Sequence, residues 1–447
     1  MGILKTFALG GIHPKENKLS VNAVIETLAI PKQAFIPMGQ NLGAPSKPVV
    51  KRGDKVKTGQ LLAEASGFIS TPIHSPVSGT IFKIDNILNS SGYKQPGIII
   101  NVEGDEWDEI IDRSEELVSN IDYSSQEIID KVKSAGIVGM GGATFPTYVK
   151  LMPPPGNTAE YLIINGVECE PYLTSDHRLM LEKGKEIVVG TQLLMKALNV
   201  TKAIIGIENN KPDAINHMTE LVKAAEGISI MPLKVQYPQG GEKQLIKAAV
   251  NREVPSGKLP IAVGCVVQNV GTAFAVYEAV QKNKPLFERV VTVTGKAIKK
   301  PSNFLVRIGT PIKELIDAAE GLPENTGKII NGGPMMGKAI SSTDIPIVKG
   351  SSGILLMENE ESHRETESPC IRCSKCTYVC PMGLEPFLLS KVSKLGKFDI
   401  AEEEMIMDCI ECGSCQYTCP ANIPLLDYLR LGKNKTGAII RSRGKTG

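Results

Sequence analysis

Short apolar runs alternate with longer amphipathic stretches through the middle of the chain. "YLII" (Tyr161–Ile164), "KAIIGIE" (Lys202–Glu208), "MPLKVQYP" (Met231–Pro238) and "IAVGCVVQN" (Ile261–Asn269) read as strands. Helical spacing of apolar residues falls near Leu179–Leu198, around Pro212–Ala225, after "QGGEKQ" and from Thr272. Strands that alternate with helices predict βαβ units and a mainly parallel sheet. Ahead of the first strand, two helical patterns flank the glycine cluster "GMGGATFP" (Gly139–Pro146).

The pattern changes on both sides of this α/β region. From Val49 to Ile84, short β-rich runs are broken by Gly-Asp, Gly-Gln and Ser-Gly turns. This stretch resembles the flattened β-sandwich of lipoyl and biotinyl domains. Its hairpin tip is "SGFIST", without the lysine that a carrier needs, so a docking or structural role is expected. His74 reads as a packed or surface residue. From Val290 onward, "RVVTVTGKAI", "FLVRIGTPIKELIDAAEGL" and "GKIINGGPMMGKAI" predict a small β-grasp unit of the SLBB type, with Met335 and Met336 as packing residues. Charged stretches at Glu103–Asn120 and Glu358–Pro369 mark joints. The expected architecture is multidomain α/β. A lipoyl-like β-sandwich spans 1–110, a Rossmann-like parallel α/β flavin domain 120–285, and the β-grasp unit 286–357. An α-helical ferredoxin-type module spans 360–430, and a basic, solvated tail 431–447.

Composition narrows the function. The net charge is +2, so no basic field points to nucleic acid. No apolar run reaches the roughly 20 residues that span a bilayer. The strongest chemical signal is "CIRCSKCTYVCP" (Cys370–Pro381) and "CIECGSCQYTCP" (Cys409–Pro420), the same C-x2-C-x2-C-x3-C-P spacing twice. Thiolates suit iron–sulfur clusters, and in two-cluster ferredoxins the fourth cysteine ligates the other cluster. One [4Fe–4S] cluster is therefore expected on Cys370, Cys373, Cys376 and Cys419, and the second on Cys409, Cys412, Cys415 and Cys380. Between the sets, Leu384, Phe387, Leu388, Val392 and Leu395 give a helix, with a break at Gly396 and a second helix. Cys169 and Cys265 read as buried thiols.

Glycines let backbone N–H groups approach a phosphate, where a Cβ would obstruct. Three polar loops join the glycine cluster at strand ends: "NGVECEP" from Asn165, "YPQGGEK" from Tyr237 and "QNVGT" from Gln268. In open α/β sheets, ligands bind there.

These four segments resemble the flavin-site segments of the NADH-oxidising FMN subunit of respiratory complex I, and the modules follow in the same order. With two cysteine sets and a lipoyl-like domain introduced by "GGIHP" at Gly10, nearly the whole chain resembles the RnfC family, whose members serve the Rnf complex, a membrane-bound ferredoxin:NAD oxidoreductase. The resemblance implies FMN, NAD(H) and two [4Fe–4S] clusters as cofactors. It places Gly139, Gly141, Gly142, Phe145 and Lys150 on the FMN-phosphate and ring loop. Asn165, Glu168 and Glu170 fall on the second flavin loop. Tyr237, Gly240 and Glu242 fall on the loop shared with nicotinamide, and Asn269 and Thr272 on the last FMN loop. Met140 replaces the loop arginine of the complex I protein, and Thr144 its last glycine. No catalytic base is expected, because hydride transfer to a flavin needs none. Implied partners are a ferredoxin-like electron-transfer subunit, membrane subunits and, indirectly, ferredoxin. The implied location is peripheral, on the cytoplasmic face of the membrane. The alternative is a soluble cobalamin reductase of diol-degrading microcompartments.

Overall fold

In the computed structural model, which describes residues 4–443, the middle of the chain forms a four-stranded parallel sheet. The strand order is Ile228–Leu233, Ala203–Glu208, Tyr161–Asn165, Cys265–Asn269. The apolar runs are continuous because both faces are buried. Leu162, Ile164, Ile205 and Val266 pack on one side with Leu193, Leu194 and Val276. Ile163, Ile204, Leu233 and Val267 pack on the other with Leu245 and Ile246. The first three strands step outward in chain order, and the fourth returns to the opposite edge of the first. The switch point therefore lies between the loops after Asn165 and Asn269.

Several element boundaries differ from the sequence reading. The long helix divides into Ser175–Glu182 and Gly184–Leu198, since Lys183 leaves helical geometry. The third strand starts at Ile228 and stops at Leu233, beyond which Lys234 donates to the carbonyl of Lys5. Pro260–Val263 is a 3-10 turn, because Gly264 takes φ +69° and breaks the strand there. The pattern after the glycine cluster yields only the short helix Thr147–Lys150.

The sandwich of the N-terminal domain closes two small sheets around Ile36, Leu62, Ile73, Ile81, Ile98 and Ile100. The residues ahead of it serve other modules. Ile25–Thr27 adds a parallel strand beside Ser302–Arg307 in the six-stranded sheet of the β-grasp region, and Ile12 bridges to Tyr237. Lys349 is 1% exposed, and its ammonium donates to the carbonyls of Pro72 (2.8 Å) and Gly136 (2.7 Å). One side chain thus ties the sandwich, the α/β domain and the β-grasp region. His74 is partly buried, and burial lowers its pKa to about 3, so it stays neutral.

The cysteine module is helical, as its pattern implies. Pro386–Lys394 and Phe398–Glu403 are separated at Gly396, which takes φ +69°. The basic tail is not a solvated strand of chain: Leu425–Arg443 is one helix. Leu425 and Leu429 enter the module's core, Gly432 lies flat against Ser393, and Arg443 pairs with Glu402 at 2.8 Å. Residues 444–447 of the expected tail lie outside the described residues. Among the described residues no helix is long and apolar enough to cross a membrane.

Candidate functional site

The glycine loop is a narrow turn. Val138 bridges to Pro146, Gly139 donates to the carbonyl of Phe145 (2.8 Å), and Met140 donates to Thr272 Oγ1 (2.9 Å). Gly141 and Gly142 lie exposed beyond these bonds. Gly141 has φ +72°, and a Cβ there would come within 3.0 Å of Asn269 Nδ2; Gly142 faces open space. A backbone cradle without Cβ atoms lies at the switch point and fits a phosphate-bearing ligand. Thr144 holds φ +56°, a glycine's conformation on a β-branched residue. The loop shape therefore survives the loss of the last glycine. Beneath Met140, Arg289 from the strand Glu288–Thr294 is buried, its guanidinium against the Met140 sulfur and donating to the carbonyl of Ser351.

The structure brings most of the expected loop residues together. Lys150 Nζ lies 2.7 Å from Glu242 Oε1 and 3.1 Å from the carbonyl of Val267. Asn165 Nδ2 donates to the carbonyl of Gly240 (2.8 Å). Asn269 Oδ1 accepts from Gly271 and so caps the helix Val270–Gln281, while its Nδ2 donates to Asp176 (2.7 Å). Glu168 accepts from the N–H groups of Asp176 and His177 at a helix start. Burial, with the charge of Glu168, raises the pKa of Asp176 to about 6. Asp176 and Arg289 were not singled out from the sequence; neither lies in a glycine-bearing loop, and only the fold brings them under it.

Glu170 and Tyr237 point elsewhere. Glu170 accepts from the N–H groups of Met335 (3.1 Å) and Met336 (2.7 Å), so it joins the α/β domain to the β-grasp region. Met335 packs as expected, but Met336 is 45% exposed because it stands at the tip of this turn. The hydroxyl of Tyr237 donates to the carbonyl of Cys412 (2.8 Å). Cys265 is buried, and burial raises its pKa to about 11. Cys169 is partly buried, its sulfur accepts from the N–H of Gly240, and burial raises its pKa.

Burial raises the Glu170 pKa to about 7, and the two N–H donors offset part of that rise. Between about 4.5, its ordinary value, and 7 the folded protein holds a proton that the unfolded chain has lost. Stability therefore falls as pH rises through that window. Glu170→Gln removes this slope. Its melting temperature relative to the parent should be higher at pH 8 than at pH 5; an equal difference at both would contradict the assignment.

The second cysteine set encloses a small apolar cavity. Cys380, Cys409, Cys412 and Cys415 line it together with Leu384, Leu389, Leu426 and Leu429. Cys380 belongs by sequence to the first set, so its crossing to the second set is visible in the lining. Four thiols around an apolar cavity fit an iron–sulfur cluster. Cys370 and Cys373 are exposed, and Cys376 and Cys419 pack partly buried against the module's core. Among the described residues, no three His, Cys, Asp or Glu side chains are gathered around a single-ion site.

A parallel sheet with a glycine cradle at its switch point, joined to a module with two cysteine loops, defines a flavin and iron–sulfur electron-transfer protein. Comparison with known proteins agrees segment by segment. Residues 132–278 match the Nuo51 FMN-binding domain, 6–105 the RnfC barrel sandwich hybrid domain, 290–339 the SLBB domain and 363–420 the 4Fe-4S dicluster domain. The chain is 48% identical to a subunit of the proton-translocating ferredoxin:NAD(+) oxidoreductase complex of Clostridium ljungdahlii, over 98% of this chain and 95% of that one. It is 43% identical to the corresponding subunit of the Na(+)-translocating complex of Acetobacterium woodii, over 98% of each. An air-oxidized NAD+-reducing [NiFe]-hydrogenase structure is similar in fold, with TM-score 0.50 and 18% identity over 69% of this chain and 60% of that one. The chain belongs to the RnfC family, a subunit family of ion-translocating ferredoxin:NAD(+) oxidoreductase complexes. It is an oxidoreductase subunit whose cofactors are FMN, two [4Fe–4S] clusters and NAD(H). Nothing among these relatives supports the cobalamin-reductase alternative.

Proposed function

We propose that this chain is the peripheral NAD(H)-reacting subunit of an ion-translocating complex, lying on the cytoplasmic face of the membrane. A ferredoxin-like subunit would exchange electrons with it, and membrane subunits would carry the ion. The named relatives include both proton- and Na(+)-translocating complexes, and the coupling ion is set outside this chain.

The observation that carries the reading is the Tyr237–Cys412 hydrogen bond. It places the second cysteine set directly against a loop of the flavin domain. Gln244 adds a contact to the carbonyl of Pro381 (3.2 Å). The first set, with exposed Cys370 and Cys373, faces solvent, where another electron carrier can reach it. When bound, FMN supplies the conversion between a two-electron hydride and the one-electron steps of the clusters.

The chain's own residues hold and orient. Gly141 and Gly142 offer backbone to the flavin phosphate, on a turn that Gly139 closes through its bond to Phe145. Lys150 supplies a cation beside it, and Phe145, Asn165, Glu168, Gly240, Asn269 and Thr272 shape the crevice. Glu242 opens the helix Glu242–Val250 and restrains Lys150. Glu242→Ala should keep FMN while NADH-dependent dye reduction falls roughly tenfold or more, about 1.4 kcal/mol of lost transition-state stabilisation. Unchanged kinetics in that variant would remove Glu242 from the site.

A further inference from the structure

The tip of the N-terminal domain, which offers no lysine for a lipoyl or biotinyl arm, is the loop between strands Leu61–Glu64 and Ile73–His74. The structure seats this tip on the glycine loop. The Tyr148 hydroxyl donates to the carbonyl of Phe68. The two rings meet edge to face, with centroids 6.1 Å apart. From the neighbouring loop, Leu42 donates its N–H to the carbonyl of Thr144 (3.1 Å). The two N-terminal loops are also locked to each other. Ala44 donates to the carbonyl of Ile69, and a Cβ at Gly43 would lie 2.1 Å from that oxygen.

Phe68 is thus fixed from its backbone, yet its side chain is left to water. The residue is 66% exposed, and Leu42, on the neighbouring loop, is 52% exposed. An isolated exposed aromatic is ordinary. This one is anchored to Tyr148, on the short helix that directly follows the loop carrying the exposed Gly141 and Gly142, with open space over Gly142. An exposed cation, Lys133, lies 5.4 Å from the Tyr148 ring. A flat face suits a nucleotide base, and a nearby cation suits its diphosphate.

We propose that Phe68 forms the base-stacking wall of the dinucleotide site and takes the adenine of NAD(H) as the cofactor crosses the glycine loop. The proposal rests on the reading of the glycine loop as the flavin site, where the nicotinamide meets the flavin. It gives the lipoyl-like domain a fixed role in substrate binding where a carrier domain would swing.

The test uses the holoprotein with FMN and both clusters, under anaerobic conditions. Binding of NAD+ and the KM for NADH are measured for the parent, Phe68→Ala, Phe68→Leu and Phe68→Tyr. The same constants are measured with nicotinamide mononucleotide, which lacks the adenine. Base stacking on an aromatic predicts roughly tenfold or greater weakening of NAD+ and NADH in Phe68→Ala. Phe68→Leu keeps an apolar side chain and should be weakened in between, while Phe68→Tyr should bind as the parent does. The mononucleotide constants should move far less. Equal affinities in parent and Phe68→Ala would overturn the assignment. So would equal weakening for mononucleotide and dinucleotide, which would mark Phe68 as a domain contact only. A parent that binds neither nucleotide would defeat the reading of the site itself, and the stacking wall with it.

Discussion

Cys380→Ser should cost the protein about four of its roughly eight irons, and the lost cluster should be the one held by Cys409, Cys412 and Cys415. The reason is the cavity lining, where Cys380 joins those three side chains and not Cys370, Cys373 or Cys376. Cys419→Ser should cost the same amount of iron but take the cluster of Cys370, Cys373 and Cys376. The two variants should then separate in how NADH reaches what remains. Tyr237 ties Cys412 to the flavin domain, while Cys370 and Cys373 face solvent. In Cys419→Ser, NADH should still reduce the surviving cluster at close to the parent rate. In Cys380→Ser, the surviving cluster should lose its route to the flavin and stay oxidised. FMN content is the control in both. Iron analysis with low-temperature magnetic resonance after NADH decides the matter. The reverse pattern would place the first cysteine set on the flavin side.

Gly190→Ala is expected to strip FMN from the protein while leaving its iron. Gly190 lies on the helix Gly184–Leu198, where it crosses the helix Val270–Gln281. An added Cβ would lie 1.9 Å from the backbone oxygen of Ala273. No rotamer change relieves a clash with backbone, so the helices must part, at a cost of about 1–3 kcal/mol or more. The displaced helix begins at the loop of Asn269 and Thr272, and Thr272 Oγ1 holds the glycine loop through Met140 N–H. Loss of packing thus becomes loss of the crevice. The cysteine module has its own apolar cluster and keeps its metal. FMN and iron per chain, with the temperature of flavin release, measure this. A variant with full FMN and an unchanged release temperature would show that the helices absorb the methyl group.

The parallel sheet was legible because its strands are buried on both faces and therefore read as unbroken apolar runs. The cysteine loops were legible because ligand spacing is local in sequence. What the sequence hid is the docking between modules. The "GGIHP" segment and the strand Ile25–Thr27 lie ahead of the sandwich, and no periodicity says that they cross to other domains. The tail read as solvated because Lys and Arg dominate it, yet Gly432, Thr436 and Gly437 give it a narrow buried face. Small residues carry little hydropathy signal, so such a face is invisible to an apolar count. In the site, the four loops were found by their glycines and polar ends. Arg289 and Asp176 were not, because Arg289 meets Met140 from the strand Glu288–Thr294 and Asp176 meets Asn269 from a helix start, far from either loop in the chain. Glu170 and Tyr237 were placed on flavin loops by resemblance. The fold shows them bonded across to the β-grasp turn and the cysteine module.

Nicotinamide, flavin and two clusters should form one electron path within this single chain. Anaerobic titration of the purified protein with NADH probes that path, following flavin and cluster absorbance together after FMN and iron have been counted. One FMN, about eight irons, and bleaching of both chromophores by NADH are expected. About eight irons without flavin, and no response to NADH, would refute the path and leave the chain as a conductor between other subunits.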